Sequence, residues 1–488
     1  MIILSAILMA ISQHPIGYGF LAFFSIIPII PFLVTLKSYR SALWNGFLWG
    51  LTYNFLTVFW IATNIGTTKI IAFITMILSV FILSVTPMII FFLWCALNKR
   101  KINLLFLSFV WPSVELIRSY GSLGFPWVSI SNSLVEYNNI TQLIEYIGMY
   151  GLSALVILIN ILIYNLIIRR NLQSMLILFL TVSSSILIGV LIKSNYELNK
   201  DKNLNIAVVQ PNIHLSEKWS RGSQNKIMNK IISQSQEALI EKPDLLVWPE
   251  TSVISYLIQR DKINYNKIKS LLYGNTTNLI AGIPYYESLN NKIRYYNSAG
   301  YFDGSGLIGL YHKIHLVPGA EYVPFSKYLN SLEIFNFGMG NFSHGESYEL
   351  FDVNDYKFAA MICLESIFPS LSRKFVADGA NFLVYVVNDG WYESAPEPQQ
   401  HASRAVYRAI ETRRPIIRCA NTGVSMIIDQ LGNITHQLEL NNKGNIVEEI
   451  NPSTTLTFYV KYGDIFIYFM MLSIMLLMFK KVRYEDYI

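Results

Sequence analysis

IIAFITMILSVFILSVTPMIIFFLWCALN, residues 70–98, runs without a single Asp, Glu, Lys or Arg. A helix needs roughly 20 mostly apolar residues to cross a bilayer, so this run is long enough. Outward from it, the same absence of charge recurs over residues 1–36, 41–68, 147–168 and 171–192. The first of these has room for two crossings, broken at Gln13-His14-Pro15 by a polar, helix-breaking group. A weaker run, 102–114, stops at Glu115. A last one, about 459–479, carries Lys461 and Asp464 near one end, where long side chains can snorkel. The alternative for the first run is a cleavable signal peptide; no basic n-region precedes it and further crossings follow. The pattern predicts a polytopic α-helical membrane bundle.

Charge elsewhere agrees. Only 14% of the 488 residues are charged, about half the usual share for a soluble chain. Basic clusters sit at Lys37/Arg40, Lys99-Arg100-Lys101, Arg169-Arg170 and Lys480-Lys481/Arg483. About eight crossings (2–13, 17–36, 42–64, 70–98, 102–118, 147–168, 172–193 and 459–479) put all four on one side, the cytoplasmic one by the positive-inside rule. Both termini then lie in the cytoplasm and residues 194–458 on the opposite face. The net charge of +6 is accounted for largely by these flanking bases, so it calls for no nucleic acid. Three cysteines, Cys95, Cys363 and Cys419, form no CxxC or zinc spacing. An oxidising compartment would permit a Cys363–Cys419 disulfide, although two isolated cysteines are no disulfide framework.

From Asn203 the character changes. Short β-rich runs (205–210, 245–248, 278–282, 297–302, 358–362, 382–387, 415–420, 424–429) alternate with helical stretches (222–241, 261–272, 367–378, 398–413). This predicts a layered α/β domain. The expected division is 1–193 for seven membrane helices, 194–458 for the α/β domain, and 459–488 for the last helix and a tail.

Three residues stand where strands end. Glu250 closes Leu-Leu-Val-Trp-Pro-Glu, Cys363 closes Phe-Ala-Ala-Met-Ile-Cys, and Lys313 follows a β-rich run. Such positions suit catalysis because a sheet fixes the backbone while the loop leaves the side chain open. Singly, each has a plain explanation: a core thiol, a helix cap, a surface charge.

Together the segments are specific. Leu246-Val247-Trp248-Pro249-Glu250, Tyr311-His312-Lys313-Ile314-His315-Leu316-Val317-Pro318 and Ile362-Cys363-Leu364-Glu365 resemble the signature segments of the nitrilase (carbon–nitrogen hydrolase) superfamily, in the family's order. Ile206–Asn212 resembles its first core strand and Asn388-Asp389-Gly390-Trp391 a later strand end. With membrane helices on both sides, the resemblance narrows to the apolipoprotein N-acyltransferase family. Gly124-Phe125-Pro126-Trp127, Lys218-Trp219 and Glu321-Tyr322-Val323-Pro324 also look like segments of that family. The resemblance implies an αββα nitrilase-like sandwich and a Glu-Lys-Cys triad: Cys363 nucleophile, Glu250 general base, Lys313 electrostatic partner.

It also implies the reaction. A fatty acyl group passes from a glycerophospholipid, through a thioester on Cys363, to the α-amine of the N-terminal diacylglyceryl-cysteine of an apolipoprotein. The setting would be a bacterial inner membrane with the catalytic domain periplasmic, the chain acting as a monomer without a cofactor. The chemistry fits the residue types. A free thiol has a pKa of about 8.5, so it needs a base or a cation to become a nucleophile. Lys313 and the backbone N–H of Leu364 are expected to hold the oxyanion.

Glu321, Glu365, Trp219 and Tyr322 match positions that support the site in the family, against the plainer readings of surface charge and aromatic packing. His312 and His315 are three apart, but a strand turns them to opposite faces and no third ligand accompanies them, so no metal is expected. Arg404, Arg408 and Glu411 share a helical stripe that suits structural ion pairing. The family commonly reads Pro-Phe-Gly-Glu where this chain has Pro318-Gly319-Ala320-Glu321, and a tyrosine where it has Leu364. These departures touch the acyl pocket and lid rather than the triad. Residues 322–342, dense in aromatics, suggest a mobile lid dipping into the outer leaflet, or else a loop buried on the bundle. Two other readings compete. A membrane-tethered amidase would use the same triad, though a soluble amide needs no such scaffold. A transporter or lipid-binding protein with an inactive nitrilase-like domain should carry intramembrane charges, which are almost absent here.

Overall fold

Apolar runs become helices; Pro28 and Pro31 break one of them, while Pro87 lies inside an unbroken helix. The computed structural model describes residues 1–197, 203–218, 220, 222–289, 292–324, 341–392, 394 and 396–479. Two compact units result: a helical one (Met1–Thr63, Lys69–Tyr196, Tyr462–Ile488) and an α/β one (Asn64–Thr68, Glu197–Lys461).

In the helical unit, three helices are long and apolar enough to cross a membrane: Lys69–Asn98, Ile144–Arg169 and Leu172–Ser194. Only 6% of the apolar window of the last is buried within the protein, so nearly all of its greasy surface is left for lipid. The run 17–36 forms four short segments instead of one helix (Gly19–Leu21, Ala22–Ser25, Ile27–Ile29, Ile30–Thr35), because Pro28 and Pro31 bring no N–H. Side chains from other helices bond backbone groups around these breaks. Asn160 Nδ2 donates to Ala22 O at 2.8 Å and its Oδ1 accepts from Ile26 N at 2.9 Å. Trp94 Nε1 donates to Leu33 O at 3.0 Å. Helix Tyr39–Val58 lies so close to Lys69–Asn98 that a Cβ on Gly46 would sit 2.6 Å from Pro87 O; small residues permit such approach in membranes. The final apolar run breaks at Gly463 (φ +60°) into Phe458–Tyr462 and Ile465–Phe479.

The α/β unit holds two six-stranded sheets. The first comprises β1 (Leu204–Gln210), β2 (Leu245–Val247), β3 (Asn278–Leu289), β4 (Lys292–Asp303), β5 (Gly306–His312) and β12 (Gly444–Ile450), ordered β12-β1-β2-β3-β4-β5. The second comprises β6 (Phe351–Val353), β7 (Tyr356–Ile362), β8 (Phe382–Val387), β9 (Ile416–Ala420), β10 (Ser425–Ile428) and β11 (Ile434–Leu438), ordered β11-β10-β9-β8-β7-β6. Each has a parallel centre, β1-β2-β3 and β7-β8-β9, with antiparallel neighbours outside. Helices α1 (Ser223–Leu239) and α2 (Lys262–Leu272) cover the first sheet; α4 (Glu397–Thr412) covers the second, with α3 (Pro369–Ala377) packed beside it. The sheets meet where β1 faces β9 and β4 faces β7, completing the four-layer α-β-β-α sandwich expected from the sequence. Burial on both faces explains why the central strands read as unbroken apolar runs.

Differences lie at the edges. β3 and β4 extend well beyond 278–282 and 297–302, and β6, β11 and β12 had no sequence signal. β11, Ile-Thr-His-Gln-Leu, is almost wholly exposed, so no apolar alternation marks it.

Candidate active site

β7 delivers Cys363 and then turns sharply. Cys363 takes φ +51°, a left-handed conformation that costs a non-glycine residue about 1–3 kcal/mol unless its surroundings impose it. A 3-10 turn, Cys363–Ile367, follows. Glu365, fully buried, locks this turn to the Lys313 loop. Its Oε2 accepts from Ile362 N at 2.8 Å, and its Oε1 from Tyr311 OH and Ile314 N at 2.7 Å and His315 N at 3.0 Å. Burial pushes this carboxyl up to about 7, against the pull of those donors.

β5 carries Lys313 just past its end, and β4 fixes it: Lys313 N donates to Asn297 O at 2.9 Å. The Lys313 Nζ lies 2.9 Å from both Glu321 oxygens and 3.7 Å from Glu250 Oε1, with 1% of its side chain exposed. Burial alone would depress this amine, but Glu321, Glu250 and Cys363 override it, and the ammonium is held above its usual range.

Glu250 follows β2 through Trp248-Pro249. Its backbone rests so near β3 that a Cβ on Gly282 would meet Glu250 Cα at 2.4 Å. Asn297 Nδ2 donates to Glu250 Oε1 and Glu321 Oε1, each at 2.7 Å, and so bridges two carboxylates that would otherwise repel. Burial raises the Glu250 pKa; Lys313 offsets part of that, and Glu321 adds to it. The Cys363 thiol neighbours this carboxyl, whose buried Oε2 has no hydrogen-bond partner among the described residues. Cys363 keeps some accessible surface, yet burial and then Glu250 push its thiol well up, with Lys313 pulling the other way. At rest the thiol is therefore protonated beside an acceptor, and Lys313 is committed mainly to Glu321.

The structure thus brings Glu250, Lys313, Cys363, Glu321 and Glu365 together. Leu364 is buried directly after Cys363. Tyr322 stacks edge-on against His344 at 4.8 Å, and its carbonyl accepts from Gly319 N at 2.8 Å. Trp219 lies outside the described residues, as do residues 325–340 of the expected lid. His312 stacks on Tyr296 and His315 on Phe368, as ring packing rather than a ligand pair. Arg408 Nε pairs with Glu411 Oε2 at 2.8 Å. Both Cys363 and Cys419 carry free thiols.

Three features went unread in the sequence. One is Asn297. Another is the setting of Lys218, legible in the sequence only as part of the Lys218-Trp219 segment: it is buried, donates to Thr251 Oγ1 at 2.7 Å, and is lowered by burial to about 7 despite Glu250. The third is residues 64–68, which belong to the α/β unit: Ile65 N donates to Trp391 O at 3.0 Å and Asn64 Nδ2 to Tyr392 OH at 3.2 Å. Asp389, Glu397 and His401 have ligand-type atoms within 4.8 Å of one another. The Arg418 guanidinium already donates to Asp389 Oδ2 at 2.9 Å, so the positive charge of that cluster comes from a side chain.

Comparison with known proteins follows the two units. Residues 205–458 match the carbon–nitrogen hydrolase family model, and residues 5–162 match the apolipoprotein N-acyltransferase N-terminal domain. The apolipoprotein N-acyltransferase of Geobacter metallireducens is 31% identical over 483 residues, covering 96% of this chain and 92% of that one. That of Borreliella burgdorferi is 27% identical over 489 residues, covering 96% and 92%. Among solved structures, the carbon–nitrogen hydrolase of Helicobacter pylori aligns at a TM-score of 0.39 and 18% identity, covering 58% of this chain and 97% of that one.

Proposed function

The chain belongs to the apolipoprotein N-acyltransferase family, within the carbon–nitrogen hydrolases, and on that premise we propose that it acylates lipoproteins through a thioester on Cys363. The donor is a glycerophospholipid and the acceptor the α-amine of an N-terminal diacylglyceryl-cysteine. The observation that carries the assignment of roles is the Glu250–Cys363 pair beside a buried Lys313 ammonium.

As the Cys363 sulfur bonds to the ester carbonyl carbon, its proton passes to Glu250. Lys313 and the Leu364 N–H meet the oxyanion. The tetrahedral adduct collapses with cleavage of the C–O bond, and Glu250 returns the proton to the departing lysophospholipid oxygen. The acceptor amine then attacks the thioester, Glu250 takes its proton, the C–S bond breaks, and Cys363 recovers its proton from Glu250. The site regenerates without a redox step or cofactor. Glu321 keeps Lys313 charged, Glu365 sets the Cys363 turn against the Lys313 loop, and Trp219 and Tyr322 contribute to substrate binding.

The protein is a membrane protein. The finer topology we infer has eight crossings, the division 1–193, 194–458 and 459–488, cytoplasmic termini, and a periplasmic catalytic domain on a bacterial inner membrane, with the chain a monomer. The four basic clusters on one side support this arrangement. Mass spectrometry after incubation with phospholipid tests the chemistry. We expect an acyl adduct on Cys363, absent in Cys363→Ala and released by a lipopeptide amine. Release by water alone, with amides preferred as substrates, would make the protein an amidase instead.

A further inference from the structure

Behind Cys363 lies a second buried polar chain that the reaction above leaves unused. Arg418 on β9, Asp389 just past β8 and His401 on α4 are each at most 2% exposed. Arg418 Nη2 donates to Asp389 Oδ2 at 2.9 Å, and His401 Nδ1 lies 2.8 Å from Asp389 Oδ1. His401 Nε2 is 3.1 Å from the Cys363 carbonyl oxygen and 3.0 Å from Ser366 Oγ. Ser366 Oγ donates in turn to Cys363 O at 2.8 Å.

We propose that the chain Arg418–Asp389–His401–Ser366 is a positioning device that holds the Cys363 carbonyl and thereby aims the Leu364 N–H at the oxyanion. The inference rests on the acyl-transfer reading above. The carbonyl of Cys363 and the N–H of Leu364 belong to one planar peptide, so fixing one end fixes the direction of the other. A hydrogen bond received by the carbonyl also polarises that peptide and strengthens its N–H as a donor. The left-handed φ of Cys363 makes such an anchor necessary, because the backbone would relax out of that conformation if released.

The charges select the geometry. Burial would raise the Asp389 pKa, but Arg418 and His401 hold it at about 2, so it is an ionised acceptor. It therefore takes Nδ1–H and turns Nε2 toward Cys363. Burial keeps the imidazole below its ordinary range, against Asp389. Glu397, with Oε1 3.8 Å from Nδ1, is pushed up by burial and by Asp389. Nε2, Ser366 Oγ and Cys363 O form a closed triangle. With the ring neutral, its one proton is Ser366 Oγ–H, shared between Cys363 O and the Nε2 lone pair, so His401 orients that hydroxyl; with the ring protonated, Nε2–H adds a direct donor to Cys363 O.

The test separates oxyanion chemistry from thiol chemistry. Acylation by an ester needs both, whereas alkylation by iodoacetamide needs only the sulfur. With the full chain in nanodiscs, single-turnover acylation by a fluorescent phosphatidylethanolamine is measured beside iodoacetamide alkylation of Cys363. We expect His401→Ala to slow acylation about ten- to a hundredfold, with KM for phospholipid unchanged and alkylation within about threefold of wild type. His401→Gln should recover part of the loss. Ser366→Ala, which deletes one hydroxyl and spares the fold, should slow acylation several-fold by itself. If both rates fall together, or if acylation is untouched in all three variants, the proposal is overturned. A wild-type protein that alkylates yet never acylates overturns the acyl-transfer reading instead.

Discussion

Cys363 and Cys419 sit almost side by side in one sheet, and their surroundings differ in what the proposed reaction asks of a thiol. Ile362 pairs with Val386, and Val386 with Cys419, so Cys419 shares a row with the residue just before Cys363. Both belong to buried central strands or their ends, and burial raises the pKa of both. Cys419 points between the sheets, where its sulfur lies 3.3 Å from Val209 O and Val247 O. It has no base to receive its proton. Cys363 lies one residue further on, past the strand end, partly exposed, with Glu250 within reach and Lys313 behind that carboxylate. One step along the chain separates a core thiol from the one we propose as the nucleophile.

The largest expected effect is at Cys363 itself. Cys363→Ala should lower turnover by at least about ten-thousandfold, read as loss of lipopeptide N-acylation with the protein still folded in detergent. Removing the partners that Cys419 lacks should come next. Glu250→Gln and Lys313→Met should each cost about a thousandfold. The pH profile sharpens this further. Because burial raises Glu250 above the usual carboxylate value, the acid limb of kcat/KM should fall above pH 4.5, the rate declining as pH drops and the base is protonated. If Glu250→Gln keeps the same limb in its residual activity, Glu250 is not the base.

Asn297→Ala ranks below these. It leaves the triad in place but frees the Glu250 and Glu321 carboxylates from their shared donor. A hydrogen bond to a charged group contributes about 1.5–3 kcal/mol, so kcat should fall roughly ten- to a hundredfold with little change in KM. Asn297→Asp, which adds a third carboxylate, should be worse than Asn297→Ala; the reverse order would mean that Asn297 acts through shape rather than charge.

These residues mark how far the sequence could be read. Glu250, Lys313 and Cys363 were legible because each ends a strand inside a distinctive local segment. The central strands were legible because burial on both faces leaves unbroken apolar runs. Asn297 was not, since an asparagine within Tyr-Tyr-Asn-Ser-Ala-Gly looks like any strand polar group until β4 is set beside β5. His401 and Asp389 were obscure for the same reason: they meet only when α4 folds across the end of β8. The helix breaks at Pro28, Pro31 and Gly463 were visible as residues, but what satisfies them, such as Asn160 far along the chain, was not.

The smallest effect belongs to the silent partner of the comparison. Cys419→Ala removes one buried sulfur from between the sheets and leaves a cavity of about one atom. It should cost about 1–2 kcal/mol of stability and change turnover by less than about twofold. Alkylation gives an independent reading of the same contrast. In the folded protein iodoacetamide should label Cys363 and leave Cys419 untouched until denaturant opens the sandwich, because no accessible surface leads to the inner sulfur. Rapid labelling of Cys419 under native conditions would mean that the sheets part easily there. The rigidity that holds Cys363 at its strand end would then have to come from Glu365 and its four donors rather than from the packed core.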